Sequence, residues 1–304
     1  RGTMQMDYAC TWDQIDKMIL EDEDLGKRLD DHSPLADALK SQGLADIADE
    51  QQRAVAVFKA VTERVKWDGT YQLWPKASEQ TLKDATGSNA DINLLLIQSL
   101  HDVGLTASPV VLRTRDLGLL PYNFPSIRKL SSFIVAVTLT SGRTVYLDAS
   151  SANGYVDVLS EPLLVERARL IQKGKSGQWV NLQKLMKAQT STVIEATLSA
   201  DGLLKGTRTT RHTGLSAVKY REAKGIVGEF APEATDVDDF SLQGEVNGDT
   251  ISVCPFPVPP LAANPFQADS RTVPVQFPYA YSELVVVNIT LPKGYVLADE
   301  PMRN

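Results

Sequence analysis

Apolar positions near the start of the chain recur at helical spacing. Trp12, Ile15, Ile19 and Leu20 share one stripe, and Leu35, Leu39 and Leu44 resume it after the break at Ser33-Pro34. Residues 12–48 are therefore expected to be helical. A stronger helix is expected over residues 51–66, where Val55, Phe58, Val61, Thr62 and Val65 make one apolar face. Residues 67–75 lose that period and read as extended, with Asp68-Gly69 as a turn. A third helix over residues 89–103 carries Ile92, Leu95, Leu96, Ser99 and Leu100 on its core face. Gly104 follows, where a left-handed residue commonly ends a helix.

Strands follow. Residues 107–113 are apolar and rich in branched side chains, residues 119–125 form a proline-bounded loop, and residues 133–139 and 144–147 make a hairpin across Thr140-Ser141-Gly142. From about Val180 the chain reads as repeated short strands. Residues 192–199 and 203–212 are joined by Ala200-Asp201-Gly202, a strong hairpin signal. Residues 240–245, 250–255 and 282–291 continue the series, with Asn247-Gly248-Asp249 as a turn. Strands without intervening helices imply an antiparallel sandwich. The expected fold class is α+β. Residues 1–48 are expected to form an N-terminal helical segment, residues 49–172 a mixed core, and residues 178–304 a truncated C-terminal β-rich domain. The Lys/Gly/Ser-rich stretch 172–178 is the expected linker.

Composition narrows the function classes. The 304 residues are 43% hydrophobic and 23% charged, the balance of a globular chain. The formal charge of −7, without a basic run, argues against nucleic acid as a partner and against an anionic membrane surface. No apolar run reaches a transmembrane length, and no signal peptide is recognisable. The abrupt start at Arg1-Gly-Thr-Met and stop at Met302-Arg-Asn suggest a piece of a longer protein. Cys10 and Cys254 lie far apart and in no CxxC pattern, and two buried thiols are expected rather than one disulfide.

One stretch carries candidate chemistry. Gly87-Ser88-Asn89-Ala90-Asp91 opens the third helix and leads to Gly104-Leu105-Thr106-Ala107. Ser131-Ser132-Phe133-Ile134-Val135-Ala136-Val137 opens one strand, and Tyr146-Leu147-Asp148-Ala149-Ser150 ends the next. Upstream stand Val65-Lys66-Trp67 and residues 71–75. In this order the pieces resemble the core of the transglutaminase-like, papain-related superfamily over roughly residues 50–160. The resemblance implies a cysteine at the helix start, where the dipole lowers its pKa, a histidine base on one strand, and an aspartate that orients it. Here those positions hold Asn89, Ser132 and Asp148. An amide is no thiolate, and a serine hydroxyl is no base near neutral pH. No cysteine lies between Cys10 and Cys254 to take the role.

The wider pattern, a core followed by a β-rich module with residues 264–266, Arg271, Pro274-Val275 and residues 291–295, resembles multidomain Bacteroidetes-type proteins of this superfamily. That resemblance implies a periplasmic or cell-envelope setting. The absent cysteine and histidine, with the attached β module, point to a pseudoenzyme acting as a binding or scaffold module, with a residual hydrolase using Ser132 and Asp148 as the alternative.

The bland roles are explicit. Asn89 is expected to cap its helix, Asp91 to complement the helix dipole, and Asp148 to close its strand. His101 is expected to be exposed at a helix C-terminus, while His32 and His212 are too scattered for a metal site. No cofactor is implied. The acidic cluster 21–24 lacks calcium-loop spacing and reads as a solvated helix end. Asn288-Ile289-Thr290 fits a glycosylation sequon but falls in an apolar strand and reads as sheet core. Trp67, Tyr71, Trp74, Tyr122 and Phe124 are expected to wall a groove for a peptide, protein or glycan, with packing of the core edge as the competing role.

Overall fold

The computed structural model describes residues 10–151, 153–185, 187–254, 270 and 277–298. Thr11 opens α1 (Trp12–Glu21): its hydroxyl accepts from the Gln14 amide, and the Gln14 side chain accepts from the Thr11 amide. Two otherwise orphaned donors are satisfied reciprocally. A short α2 (Ala36–Ser41) follows the Ser33-Pro34 break, so the expected helical run is two helices joined by turns. Asp49 caps α3 (Glu50–Arg64), which buries Val57, Phe58 and Val61.

The chain then forms β1 (Lys66–Trp67), α4 (Ser78–Asp84) and β2 (Thr86–Gly87), with β1 and β2 paired in parallel. Next comes α5 (Asn89–Asp102), buried on every side over residues 89–100 rather than along one stripe. It packs on a sheet built from β3 (Thr106–Leu112), β4 (Ser132–Thr138), β5 (Thr144–Leu147), β6 (Ala168–Leu170) and β7 (Gln178–Val180). The strand order is β5-β4-β3-β6-β7 and every neighbouring pair is antiparallel. Sheet and helices share one core that joins Ile15 and Ile19 of α1 to Leu95 of α5 and Phe133 of β4.

Downstream are β8 (Lys187–Leu198), β9 (Leu203–Gly214), α6 (Leu215–Lys224), β10 (Glu233–Gln243), β11 (Glu245–Asn247), β12 (Thr250–Ser252) and β13 (Ala280–Thr290). One sheet has the order β10-β9-β8-β13, and β11 and β12 form a separate ribbon. Ile194, Ala196, Leu198 and Leu204 are the buried centre of this region, with Ile251, Val287 and Ile289 packed against them. β10 begins at Glu233, seven residues before the expected strand, because polar cross-strand bonds extend it. Arg208 Nε donates to Asp238, Thr207 Oγ1 to Asp239, and Arg211 Nε to Glu233.

The chain divides into two compact units. The first runs to Lys187 and also takes Val218–Pro232 and Pro278–Ala280, and the second holds the remaining segments. The expected linker at 172–178 is therefore corrected. It joins β6 to β7 inside the first unit's sheet, where Trp179 pairs with Arg169. The N-terminal helices are likewise part of that unit's core rather than a separate segment. Helix α6 was not expected. Its buried Leu215, Ala217, Val218 and Arg221 follow helical spacing, but strands flank it on both sides in the sequence. Beside the four-stranded sheet, the described residues of this region hold only the two-stranded β11–β12 ribbon, whose Ile251 packs against the same buried centre. The motifs at residues 264–266, Arg271 and Pro274-Val275 lie outside the described residues. Neither cysteine is in a disulfide, and the expected burial does not hold: Cys10 is half-buried and Cys254 exposed. Asn288 lies on β13 as expected, but its side chain is exposed and donates to Glu195 Oε1. Among the described residues no helix is long and apolar enough to cross a membrane.

Candidate functional site

The start of α5 is fixed from two directions. Ser88, not Asn89, is its cap: the Ser88 hydroxyl accepts from the Asp91 amide, and the Asp91 carboxylate accepts from the Ser88 amide. Asp91 also accepts from the Lys76 amide, which ties the preceding loop to the helix. Gly87 leaves room for this arrangement. A Cβ there would lie 2.9 Å from the Asp91 Cβ. The β1–β2 pair holds the segment from Lys66 alongside, so that the Asn89 amide donates to Thr70 O.

Asn89 is thereby released from capping and turned inward. Its Nδ2 donates to Ser132 Oγ at 2.5 Å and to Phe133 O at 3.1 Å, and its Oδ1 accepts from the Gln72 amide at 2.9 Å. One helical turn on, Asn93 Nδ2 donates to Phe133 O at 2.9 Å and to Asp148 Oδ1 at 3.0 Å. Asn93 Oδ1 accepts from the Ala149 amide at 2.9 Å. Asp148 also accepts from the Ser150 hydroxyl at 2.5 Å. The β3–β4 register sets Leu112 opposite Ser132, and β5 delivers Asp148 just past Leu147.

The three positions singled out in the sequence therefore converge, and Asn93 is the link the sequence reading missed. An asparagine four residues after another on one helix face was the available signal. The cluster is sealed rather than set at a cleft mouth: Asn89, Asn93 and Ser132 are 0% exposed and Asp148 1%. Burial pushes the Asp148 carboxyl above its ordinary range, against the opposing pull of its bonds from Ser150 and Asn93. Asp148 thus does more than close a strand.

The aromatic residues divide. The Trp67 and Tyr71 rings meet at 4.9 Å, tilted by 51°, and both line a cavity of about 320 Å³ with Lys66, Ser150, Ser160 and Glu222. Tyr71 shares a 2.9 Å hydrogen bond with Ser160. Burial, then the Asp148 charge, pushes its phenol to about 12. Trp74, Tyr122 and Phe124 do not line this cavity. Tyr122 packs elsewhere: its carbonyl accepts from Trp12 Nε1, its ring meets Trp179 at 5.3 Å, and Arg167 lies over it at 4.4 Å. Phe124 is 78% exposed and Trp74 is exposed on the surface. The expected five-residue groove is therefore a two-aromatic cavity.

The histidines also differ from expectation. His101 is half-buried, with its ring nitrogens at 2.9 Å from Leu29 O and Ala107 O, rather than free in solvent. His32 is exposed, but its Nδ1 meets Asp102 Oδ1 at 2.6 Å, and that bond raises its pKa. Among the described residues no cluster of three or more His, Cys, Asp or Glu side chains could hold a metal ion. A buried ion pair was not foreseen. Arg169 on β6 makes a bidentate bond to Asp16 on α1, at 2.7 and 2.6 Å, beneath the Trp179 ring.

No family model matches the chain, and no curated protein matches it. Among solved structures, it is similar to one named "putative protease" from Parabacteroides distasonis. That match has 15% identity and a TM-score of 0.49, and it covers 90% of this chain and 44% of that one. It is also similar to a "putative cysteine protease" from Cytophaga hutchinsonii, at 16% identity and a TM-score of 0.30, over 42% of this chain and 43% of that one. The chain spans less than half the length of either structure.

Proposed function

We propose that residues 49–172 are a transglutaminase-like core that has lost its chemistry, and that the chain is a binding or scaffold module working in the cell envelope. The sequence resemblance supplies the frame. One observation carries the loss. At the positions of nucleophile, base and orienting acid stand Asn89, Ser132 and Asp148, joined through Asn93 into one buried hydrogen-bonded cluster. Acyl transfer needs a nucleophile with a base beside it and an open path to the substrate. Here the Ser132 oxygen faces an amide donor, and the cluster is closed to solvent.

The competing hydrolase reading relies on Ser132 as nucleophile and Asp148 as its partner. The two are separable by turnover. The purified chain is expected to release nothing above background from casein, amide and ester substrates, and to form no isopeptide bond between glutamine and lysine peptides. Turnover that disappears in Ser132→Ala would establish the hydrolase instead.

A further inference from the structure

The cavity beside the sealed cluster has the chemistry of a sugar site, and we propose that it holds a neutral saccharide of one or two rings, seated against Trp67. This deepens the reading of the chain as a binding module and rests on it.

Size is the first support. A volume of about 320 Å³ lies at the low end of small-molecule pockets, which span about 300–1,000 Å³. It is too small for the several residues of an extended peptide and suited to a compact ring. The second is the wall. Trp67 is 37% exposed, with its indole N–H already donated to Thr70 O. What remains is an apolar ring surface next to Tyr71, which suits the C–H face of a pyranose. The third is the polar lining. Ser150, Ser160 and Tyr71 supply three hydroxyl oxygens that can accept, and the Tyr71–Ser160 pair keeps one O–H to donate, which suits a ligand whose hydroxyls do both. These hydroxyls are pre-oriented, Ser150 by Asp148 and Tyr71 by Ser160. Less ordering is then lost on binding.

Charge selects against other small ligands. The lining carries one cation and one anion, Lys66 and Glu222. A phosphorylated or polyanionic ligand would meet a single cation, Lys66, offset by the Glu222 carboxylate, rather than a concentrated positive charge. A cationic ligand would meet Glu222 and Lys66 together. A neutral polyol meets neither penalty, and Glu222 offers it two acceptors.

The test is titration of the full chain with a panel of neutral mono- and disaccharides: glucose, galactose, mannose, N-acetylglucosamine, maltose, cellobiose and chitobiose. Isothermal calorimetry and Trp fluorescence are the readouts. At least one sugar is expected to bind with a Kd of about 1 mM or tighter. Trp67→Ala should weaken it tenfold or more, Trp67→Phe less, and Glu222→Gln severalfold, with unchanged melting temperatures. Leu119→Ser, on an exposed loop outside the cavity, should bind as the parent does. Absence of binding across the panel, or binding indifferent to Trp67→Ala, overturns the proposal. Displacement of the bound sugar by a peptide of higher affinity overturns the saccharide assignment and leaves the module reading standing. Hydrolysis of a bound sugar or peptide overturns the module reading itself.

Discussion

Asp148 is a carboxyl held in the interior by three donors, the Asn93 side-chain amide and the hydroxyl and backbone amide of Ser150, and by the surrounding apolar packing. Burial favours its protonated form, so its pKa stands above the ordinary 3.8. The stability it contributes is whole below the unfolded-state value and is lost as pH rises through the raised folded-state value. Asp148→Asn keeps the shape and the acceptor for Asn93, and Ser150 can reverse its bond. The substitution should therefore flatten the decline in stability as pH rises above the ordinary carboxylate range. Urea denaturation across that range checks it. A decline as steep as the parent's would place the titrating group elsewhere. Asparagine caps helices well, so the sequence points to Asn89 as the cap. The sequence alone could not show that Ser88 and Asp91 already satisfy the helix start, and that competition within one turn decides which side chain turns inward.

At the scale of elements, the frame of α5, β3, β4 and β5 was legible. It consists of one strongly apolar helix and strands whose lengths and turns follow local rules. The short pieces were not. α4, β6 and β7 are only three to seven residues long, and they are held by tertiary partners rather than by their own periodicity. The tie between α1 and β6 shows the same limit. Arg169 and Asp16 are 153 positions apart, and nothing local in either pairs them. Arg169 and Asp16 side chains are 5% and 7% exposed. Truncating one partner leaves the other charge buried and uncompensated, which typically costs about 3–5 kcal/mol. Asp16→Ala is expected to lose that much in chemical denaturation, partly offset by Asp13, whose carboxylate also meets Arg169. A loss under about 1 kcal/mol would mean that water replaces Asp16 without penalty.

For the whole molecule, domain order in the sequence proved simpler than domain order in space. The chain leaves the first unit after Lys187, returns at Val218, departs after Pro232 and comes back for Pro278–Ala280. Local signals mark turns and strands, but a segment that returns to an earlier core carries no mark of its destination. The returning piece is structural. Phe230 meets Phe58 edge-on at 5.5 Å, and Asn153 bonds both Ile226 O and the Gly228 amide. A fragment ending at Lys187 should therefore be less stable than the full chain and should expose apolar surface around Phe58. Its melting temperature should fall by several degrees and its dye binding should rise. A fragment that melts with the intact chain would show the returning segment to be dispensable.

The same routing sets a timetable during synthesis. When Lys187 leaves the ribosome, the first unit still lacks Phe230, which emerges about 2–10 s later at about 5–20 residues per second. Phe58 waits for that interval with one side of its ring uncovered. The β8–β9 hairpin, made within the gap, closes on a microsecond scale of about 1–10 μs. The later-numbered hairpin can thus be complete before the earlier unit is, and nascent-chain recognition by chaperones would concentrate on a core whose last piece is still being translated.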